Sequence, residues 1–262
     1  MLRITPIAIL QDNYVWLLEH NQQTLIVDPG EAQPVLDYLE QHNLKLDYIF
    51  VTHKHWDHVT GIEAIKAAFP DSILYGTGHF DIPCRDIALL GGESLELMGL
   101  NWKVWHTPGH TLDHIVFHTQ TQEDNGVVQD YVFSGDNIFA CGCGRMFEGT
   151  AQQFHHSLQS LMALPLHTKL YCTHEYTLAN INFALHIEPN NTYTLHRQDV
   201  SQSLRNNAQP TLPTTVADEL KSNPFVRCDQ PDVIRAAEHF SGKVMGKPEE
   251  VFAVIRQMKD QF

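Results

Sequence analysis

The stretch Asp47–His58, DYIFVTHKHWDH, decides the fold and carries the chemistry. Its first half is a short apolar run, β-branched and aromatic, of the kind that forms a buried strand. Thr52 then delivers the chain into His53-Lys54-His55-Trp56-Asp57-His58, where four side chains able to ligate a metal fall within six residues. They converge on one point only if the segment is a tight loop rather than a regular element. The expectation is therefore a strand, a loop and a metal.

Other apolar runs end in turn residues in the same way: Thr24–Asp28 before Pro29-Gly30, Ser72–Tyr75, Trp102–Trp105, and Tyr131–Phe133 before Ser134-Gly135. The N-terminal stretch, interrupted by Thr5, Pro6, Gln11 and Asp12, also reads as strands, and it has no small-residue cleavage site of a signal peptide. Helical spacing appears at Pro34–His42 and at Gly61–Phe69, where Ile62, Ile65 and Phe69 share a face. Strands mixed with strand–helix–strand units predict a layered sandwich of α+β or α/β type. From about Glu175 the pattern turns helical, with helices expected from Leu178 to Leu185 and over Thr192–Asn206, Pro231–His239 and Pro248–Phe262. In the last, Glu249 and Glu250 suit the first turn, and Val251, Ile255, Met258 and Phe262 form an apolar stripe. Two domains follow, residues 1–172 and 173–262.

Composition excludes several classes. No apolar run approaches the roughly 20 residues that span a bilayer, so a cytoplasmic protein without a membrane partner is expected. The net charge of −14, from 17 Lys+Arg against 31 Asp+Glu, opposes a nucleic-acid partner. Five cysteines, an odd number, argue against a disulfide framework. Cys141-Gly-Cys143 has no second pair to complete a zinc site, so these cysteines read as core or loop residues. Histidine, at 17, is the unusual count.

Three further ligand candidates each follow an apolar run: His110 in KVWHTPGHT, Asp136 in YVFSGD and His174 in KLYCTH. Imidazoles and carboxylates without a thiolate cluster suit zinc and related divalent ions at a catalytic site. Seven ligands exceed one tetrahedral ion and suit two, with one carboxylate shared between them. A water bridging such a pair loses its proton near neutral pH.

The pattern H-x-H-x-D-H with downstream His, Asp and His resembles the metallo-β-lactamase superfamily. DNYVWLL at Asp12–Leu18, IVDPG at Ile26–Gly30, HTPGHT, SGDNIFACGCGRMFEGT at Ser134–Thr150, YCTHEYT at Tyr171–Thr177, Asn223-Pro224-Phe225 and the terminal RQMKDQF resemble, more narrowly, the glyoxalase II (hydroxyacylglutathione hydrolase) family. The resemblance implies an αββα metallo-β-lactamase-type sandwich with a smaller all-helical C-terminal domain that binds glutathione. It implies that His53, His55 and His110 hold one ion, that Asp57, His58 and His174 hold the other, and that Asp136 bridges them. It implies two divalent ions, zinc before iron or manganese. The reaction implied is hydrolysis of S-(2-hydroxyacyl)glutathione, typically S-D-lactoylglutathione, by a bridging hydroxide, the second step of methylglyoxal detoxification. Asp57 and Asp136 are the carboxylates nearest that chemistry, and a monomer is expected.

By the same resemblance Arg145, Phe147, Tyr176, Arg256 and Lys259 contact the glutathione moiety. The family's loop often has a lysine and a tyrosine where this chain has Arg145 and Phe147. Arginine keeps the charge and adds a planar fork; phenylalanine loses a hydroxyl. Arg256 and Lys259, three apart on the last helix, share a face. The rival reading within the superfamily is a glutathione persulfide dioxygenase with a mononuclear iron site, and the complete second ligand set with the basic helical tail opposes it.

Overall fold

Apolar runs a few residues long, bounded by Gly, Pro and Asp, become strands because alternate side chains can then be buried on two faces at once. The computed structural model describes residues 2–122 and 126–262. It divides into two compact units that interleave in sequence: Met1–Thr107 with Asp113–Gly135, and Pro108–Leu112 with Asp136–Phe262.

The first unit opens with β1 (Arg3–Ile9), β2 (Asn13–His20) and β3 (Gln23–Val27), followed by α1 (Gln33–Gln41), β4 (Tyr48–Val51), α2 (Trp56–Val59), α3 (Ile62–Ala68), β5 (Ile73–Thr77) and β6 (Ile87–Leu89). These strands form one sheet in the order of their numbers. The pairs β1–β2 and β2–β3 are antiparallel, whereas β3 to β6 run parallel. β7 (Ser94–Leu97), β8 (Leu100–His106), β9 (Ile115–Gln122) and β10 (Val128–Gly135) make an antiparallel meander. β4 shows how the layers are built. Its Ile49 and Val51 pack with Val35 and Leu39 of α1 and Ile62 and Ile65 of α3. Phe50, between them, turns the other way: its ring stacks on Phe117 of β9 at 4.0 Å and meets Trp102 of β8 edge-on at 5.0 Å. A strand buried on both faces must be apolar throughout; hence the run YIFV, and hence the emergence of polar residues only at its C-terminal end.

The second unit holds a short hairpin, β11 (Ile138–Phe139) with β12 (Gly142–Cys143), then α4 (Ala151–Met162), β13 (Lys169–Cys172), α5 (Thr177–Ile187), α6 (Thr192–Asn206), β14 (Thr214–Thr215), α7 (Val216–Ser222), α8 (Pro231–Ser241) and α9 (Pro248–Gln261). β13 and β14 pair antiparallel. Its core is aromatic: Phe252 of α9 meets Phe154 of α4 at 5.5 Å and Phe225 at 5.8 Å, and Phe225 lies 5.9 Å from Phe183 of α5. The expected helix over Thr192–Asn206 is found with those bounds. One expectation is corrected. The HKHWDH segment is not loop throughout, because Trp56–Val59 closes one helical turn that carries Asp57 and His58. The stripe on α9 is buried at Val251 and Ile255, and Phe262, though exposed, lies 5.4 Å from the rings of Phe183 and His186.

Helices α4 and α7 were not foreseen. α4 begins with a full capping box, Thr150 with Gln153, and buries Phe154, Leu158 and Leu161. That start signal was readable, but Gln and His between the apolar positions masked the period. Among the described residues no helix is long and apolar enough to cross a membrane.

Candidate active site

In the first unit the histidines stand at the carboxyl end of β4, where parallel strands present their sites. Asp28, at the end of β3, organises them. Its Oδ1 accepts from Thr52 N at 2.8 Å, its Oδ2 accepts from Thr52 Oγ1 at 2.8 Å, and Oδ2 lies 3.0 Å from His58 Nδ1. Asp28 takes a left-handed φ of 54°, a conformation that aspartate tolerates better than most residues. At Gly30 a Cβ would fall 1.7 Å from the Asp57 carbonyl oxygen, so only glycine lets the β3 turn approach the helical turn so closely. His53 Nδ1 lies 3.0 Å from Thr52 Oγ1, and His53 Nε2 lies 3.1 Å from His55 Nδ1. The ring of His53 is 4.1 Å from that of His58. Asn13 Nδ2 donates to Asp57 Oδ2 at 3.1 Å. His53 and His58 are fully buried.

In the second unit Asp136 presents its two oxygens to different histidines. Oδ2 lies 3.5 Å from His110 Nε2 and Oδ1 lies 3.3 Å from His174 Nε2. His110 Nδ1 is 2.7 Å from the Arg145 carbonyl oxygen, which can only accept; Nδ1 therefore carries a proton and donates to it, and Nε2 is the atom that faces Asp136. At Gly144 a Cβ would fall 2.1 Å from the Asp136 carbonyl oxygen and 2.8 Å from His110 Nδ1, so only glycine lets the loop pass this close to both residues.

The residues fit a metal. Among the described residues the candidate ion-holding side chains are His53, His55, Asp57 and His58 in the first unit, and His110, Asp136 and His174 in the second. All are nitrogen or oxygen donors, and imidazoles held at their second nitrogen by a carboxylate or carbonyl, as His58 and His110 are, are oriented in the way metal-ligating histidines are. Cys141 and Cys143 are not part of such a set. Burial pushes the Cys141 thiol up to about 12 and that of Cys143 up to about 11, and both remain neutral at pH 7.

The candidate substrate residues lie in the second unit. Arg145 is exposed, with its Nε 3.7 Å from Asp260 Oδ1 and its guanidinium 5.6 Å from the centre of the Phe147 ring. Phe147 is 59% exposed and meets His110 edge-on at 5.4 Å, so its outer face is available to an apolar part of a ligand. Tyr176 stacks flat on His174 at 4.6 Å. Lys259 Nζ donates to the Ala179 carbonyl at 3.2 Å and lies over Phe183. Arg256 is the inward-facing cation of α9. It is buried, its Nη1 donates to the carbonyls of Cys143 at 3.2 Å and Gly144 at 3.3 Å, and its Nη2 donates to Asp260 at 3.1 Å.

The model of the metallo-beta-lactamase superfamily matches residues 10–174, and that of the hydroxyacylglutathione hydrolase C-terminus matches residues 175–262. A hydroxyacylglutathione hydrolase of Pseudomonas aeruginosa (strain LESB58) is 44% identical over the full length of both chains, and one of Aeromonas salmonicida (strain A449) is 43% identical, also over both full lengths. The chain belongs to the hydroxyacylglutathione hydrolase family. Among solved structures, ETHE1 from Myxococcus xanthus is 22% identical with a TM-score of 0.63, covering 99% of this chain and 98% of its own; the likeness is one of fold. The chain thus has the metallo-β-lactamase fold, of α+β class, with a helical C-terminal domain, and its family implies a dinuclear metal site that the histidine and aspartate set fits.

The sequence reading missed the residues that orient the candidate ligands. Asp28, Thr52 and Asn13 carry no ligand spacing. The one local signal was IVDPG, an aspartate before a Pro-Gly turn at a strand end.

Proposed function

We propose that the protein hydrolyses S-(2-hydroxyacyl)glutathione thioesters, typified by S-D-lactoylglutathione, to glutathione and a 2-hydroxy acid such as D-lactate. The observation that carries this reading is the end-to-end identity of 44% with hydroxyacylglutathione hydrolase. The enzyme is read as a thioesterase acting as a cytoplasmic monomer, with residues 1–172 supplying the catalytic domain and 173–262 the glutathione-binding one.

In this reading His53, His55 and His110 hold one ion, Asp57, His58 and His174 the other, and Asp136 both; zinc is the favoured metal, with iron or manganese as substitutes. When bound, such ions supply Lewis acidity and bring the pKa of a water to about 7. The chain's own residues do the rest. Asp136, with one oxygen toward each of two histidines, keeps the ligand sets in register. Asp57, held by Asn13 through Oδ2, is fixed to orient the attacking oxygen. Arg145 and Lys259 supply positive charge for the glutathione carboxylates in a chain whose net charge is −14. Arg256 serves the same region through the carbonyls of Cys143 and Gly144. Tyr176 and Phe147 offer ring surface to the glutathione backbone. The departing thiol has a free pKa of about 8.5, so it leaves as the thiolate and needs no side-chain acid above the sulfur.

The test is turnover of S-D-lactoylglutathione by metal-loaded and by chelated protein. Turnover is expected to vanish on chelation and to return with metal. The Asp136→Ala protein is expected to lose both bound metal and at least about 100-fold in kcat. No turnover by the metal-loaded protein overturns the substrate; full turnover by Asp136→Ala with unchanged metal content overturns the bridge.

A further inference from the structure

The motif Asn223-Pro224-Phe225 lies outside the ligand set, yet its first residue reaches the loop that carries Arg145. Asn223 follows α7 and is fully buried. Its Nδ2 donates to the Gly142 carbonyl at 2.8 Å and to Glu219 Oε2 at 2.8 Å, and lies 3.5 Å from the Phe139 carbonyl. Glu219, on α7 and also fully buried, accepts at the same Oε2 from the Cys141 amide at 2.9 Å. Its Oε1 accepts from Arg197 Nη2 at 2.9 Å and Thr214 Oγ1 at 2.6 Å. A buried carboxylate so fully met is held rigidly, because moving it away from any donor leaves charge or backbone unpaired.

The object held is the β11–β12 hairpin. Its turn residue Cys141 has a left-handed φ of 59°, which a non-glycine residue keeps only where its surroundings enforce it. The enforcing contact is Glu219 on the Cys141 amide. On the other side Asn180 Nδ2 donates to the Ala140 carbonyl at 3.2 Å, and a Cβ at Gly142 would lie 2.6 Å from the Asn180 amide. The hairpin starts two residues after Asp136 and ends two residues before Arg145. Arg145 and Phe147 follow directly from the hairpin's second strand, where Asn223 bonds.

We propose that Asn223 and Glu219 are positioning residues for glutathione recognition: they lock the Ile138–Cys143 hairpin and thereby set where Arg145 and Phe147 meet the glutathione part of the thioester. The inference rests on the hydrolase reading above. The rival role is purely structural, since Asn223 Oδ1 also accepts from Phe225 N at 3.0 Å and so ends α7.

Asn223→Ser separates the two roles, because serine keeps an oxygen near the backbone for the turn while its shorter hydroxyl falls short of the Gly142 carbonyl that Asn223 Nδ2 reaches. KM for S-D-lactoylglutathione is expected to rise about tenfold while kcat falls less than about threefold. The ratio of kcat/KM on lactoylglutathione to kcat/KM on a lactoyl thioester of N-acetylcysteamine, which lacks the glutathione carboxylates, is expected to fall about tenfold. Glu219→Gln, nearly isosteric, is expected to move the same ratio in the same direction and carries the test if Asn223→Ser does not fold. Parallel losses on both thioesters, an unchanged ratio, or failure of both variants to fold overturns the proposal. If wild-type protein turns over neither thioester, the hydrolase reading fails instead. Hydrogen exchange over residues 141–147 then reads the clamp by itself: faster exchange in Asn223→Ser supports it, and no change overturns it.

Discussion

Lys259 sits against Phe183 and Phe262, and burial, followed by the neighbouring Arg256 charge, pushes its ammonium down to about 8. The charged form is the one that would bind a carboxylate. The kcat/KM for a glutathione thioester is therefore expected to fall as pH rises through about 8, and Lys259→Arg to move that fall beyond the measurable range. Stability runs the opposite way. Between about 8 and the usual lysine value the unfolded chain holds a proton that the folded chain has released, so this group's contribution favours folding more as pH rises. A steady-state pH profile beside a pH series of denaturant melts checks both signs. Phe147 carries a second prediction at this scale. Its exposed ring has no hydroxyl, and Phe147→Tyr is expected to lower KM roughly three- to tenfold if a substrate polar group lies there; an unchanged KM places no such group beside it.

Elements differ in how openly the sequence displays them. β4 is the plainest, because a strand enclosed on both faces has no polar position to blur it. Phe50→Ala would empty the space that Phe117 and Trp102 close around and is expected to cost about 3–5 kcal/mol, read as a lower denaturant midpoint. α4 is harder to see, since only its capping box and three buried apolar residues distinguish it from a polar loop. Thr150→Ala is expected to cost about 1 kcal/mol, lowering Tm by roughly 2–4 °C in a chain of this size. The one-turn helix α2 was invisible for a different reason: four residues are too few to show a period. Its turn is set by the chain's return to the Pro29-Gly30 bend, where Gly61 N donates to the Pro29 carbonyl at 3.0 Å.

For the whole molecule, the acidic balance and the metal set govern behaviour in solution. Ions that bind the folded chain and not the unfolded one stabilise it by mass action, by about 2.7 kcal/mol at a free concentration 100 times Kd. Chelation is thus expected to lower Tm by several degrees and metal to restore it, a readout independent of turnover. Failure of chelation to shift Tm while metal leaves the protein would place the ions outside the folding equilibrium.

By itself the sequence determined the candidate ligand types and their order: His53, His55, Asp57 and His58 are neighbours in the chain, and His110, Asp136 and His174 each follow a strand-like run. Such signals are local, since the end of a buried strand is where a polar side chain can first point into a site. Tertiary structure alone decided which groups orient them and where the basic residues of α9 lie. Nothing near Asp28 or Asn223 in the chain announces His58 or Gly142 as a partner, and the helix spacing of Arg256 and Lys259 gave no sign that one guanidinium would be buried on the Cys143 and Gly144 carbonyls. A hydrogen bond depends on which distant backbone is brought within about 3 Å, and packing, not residue type, settles that.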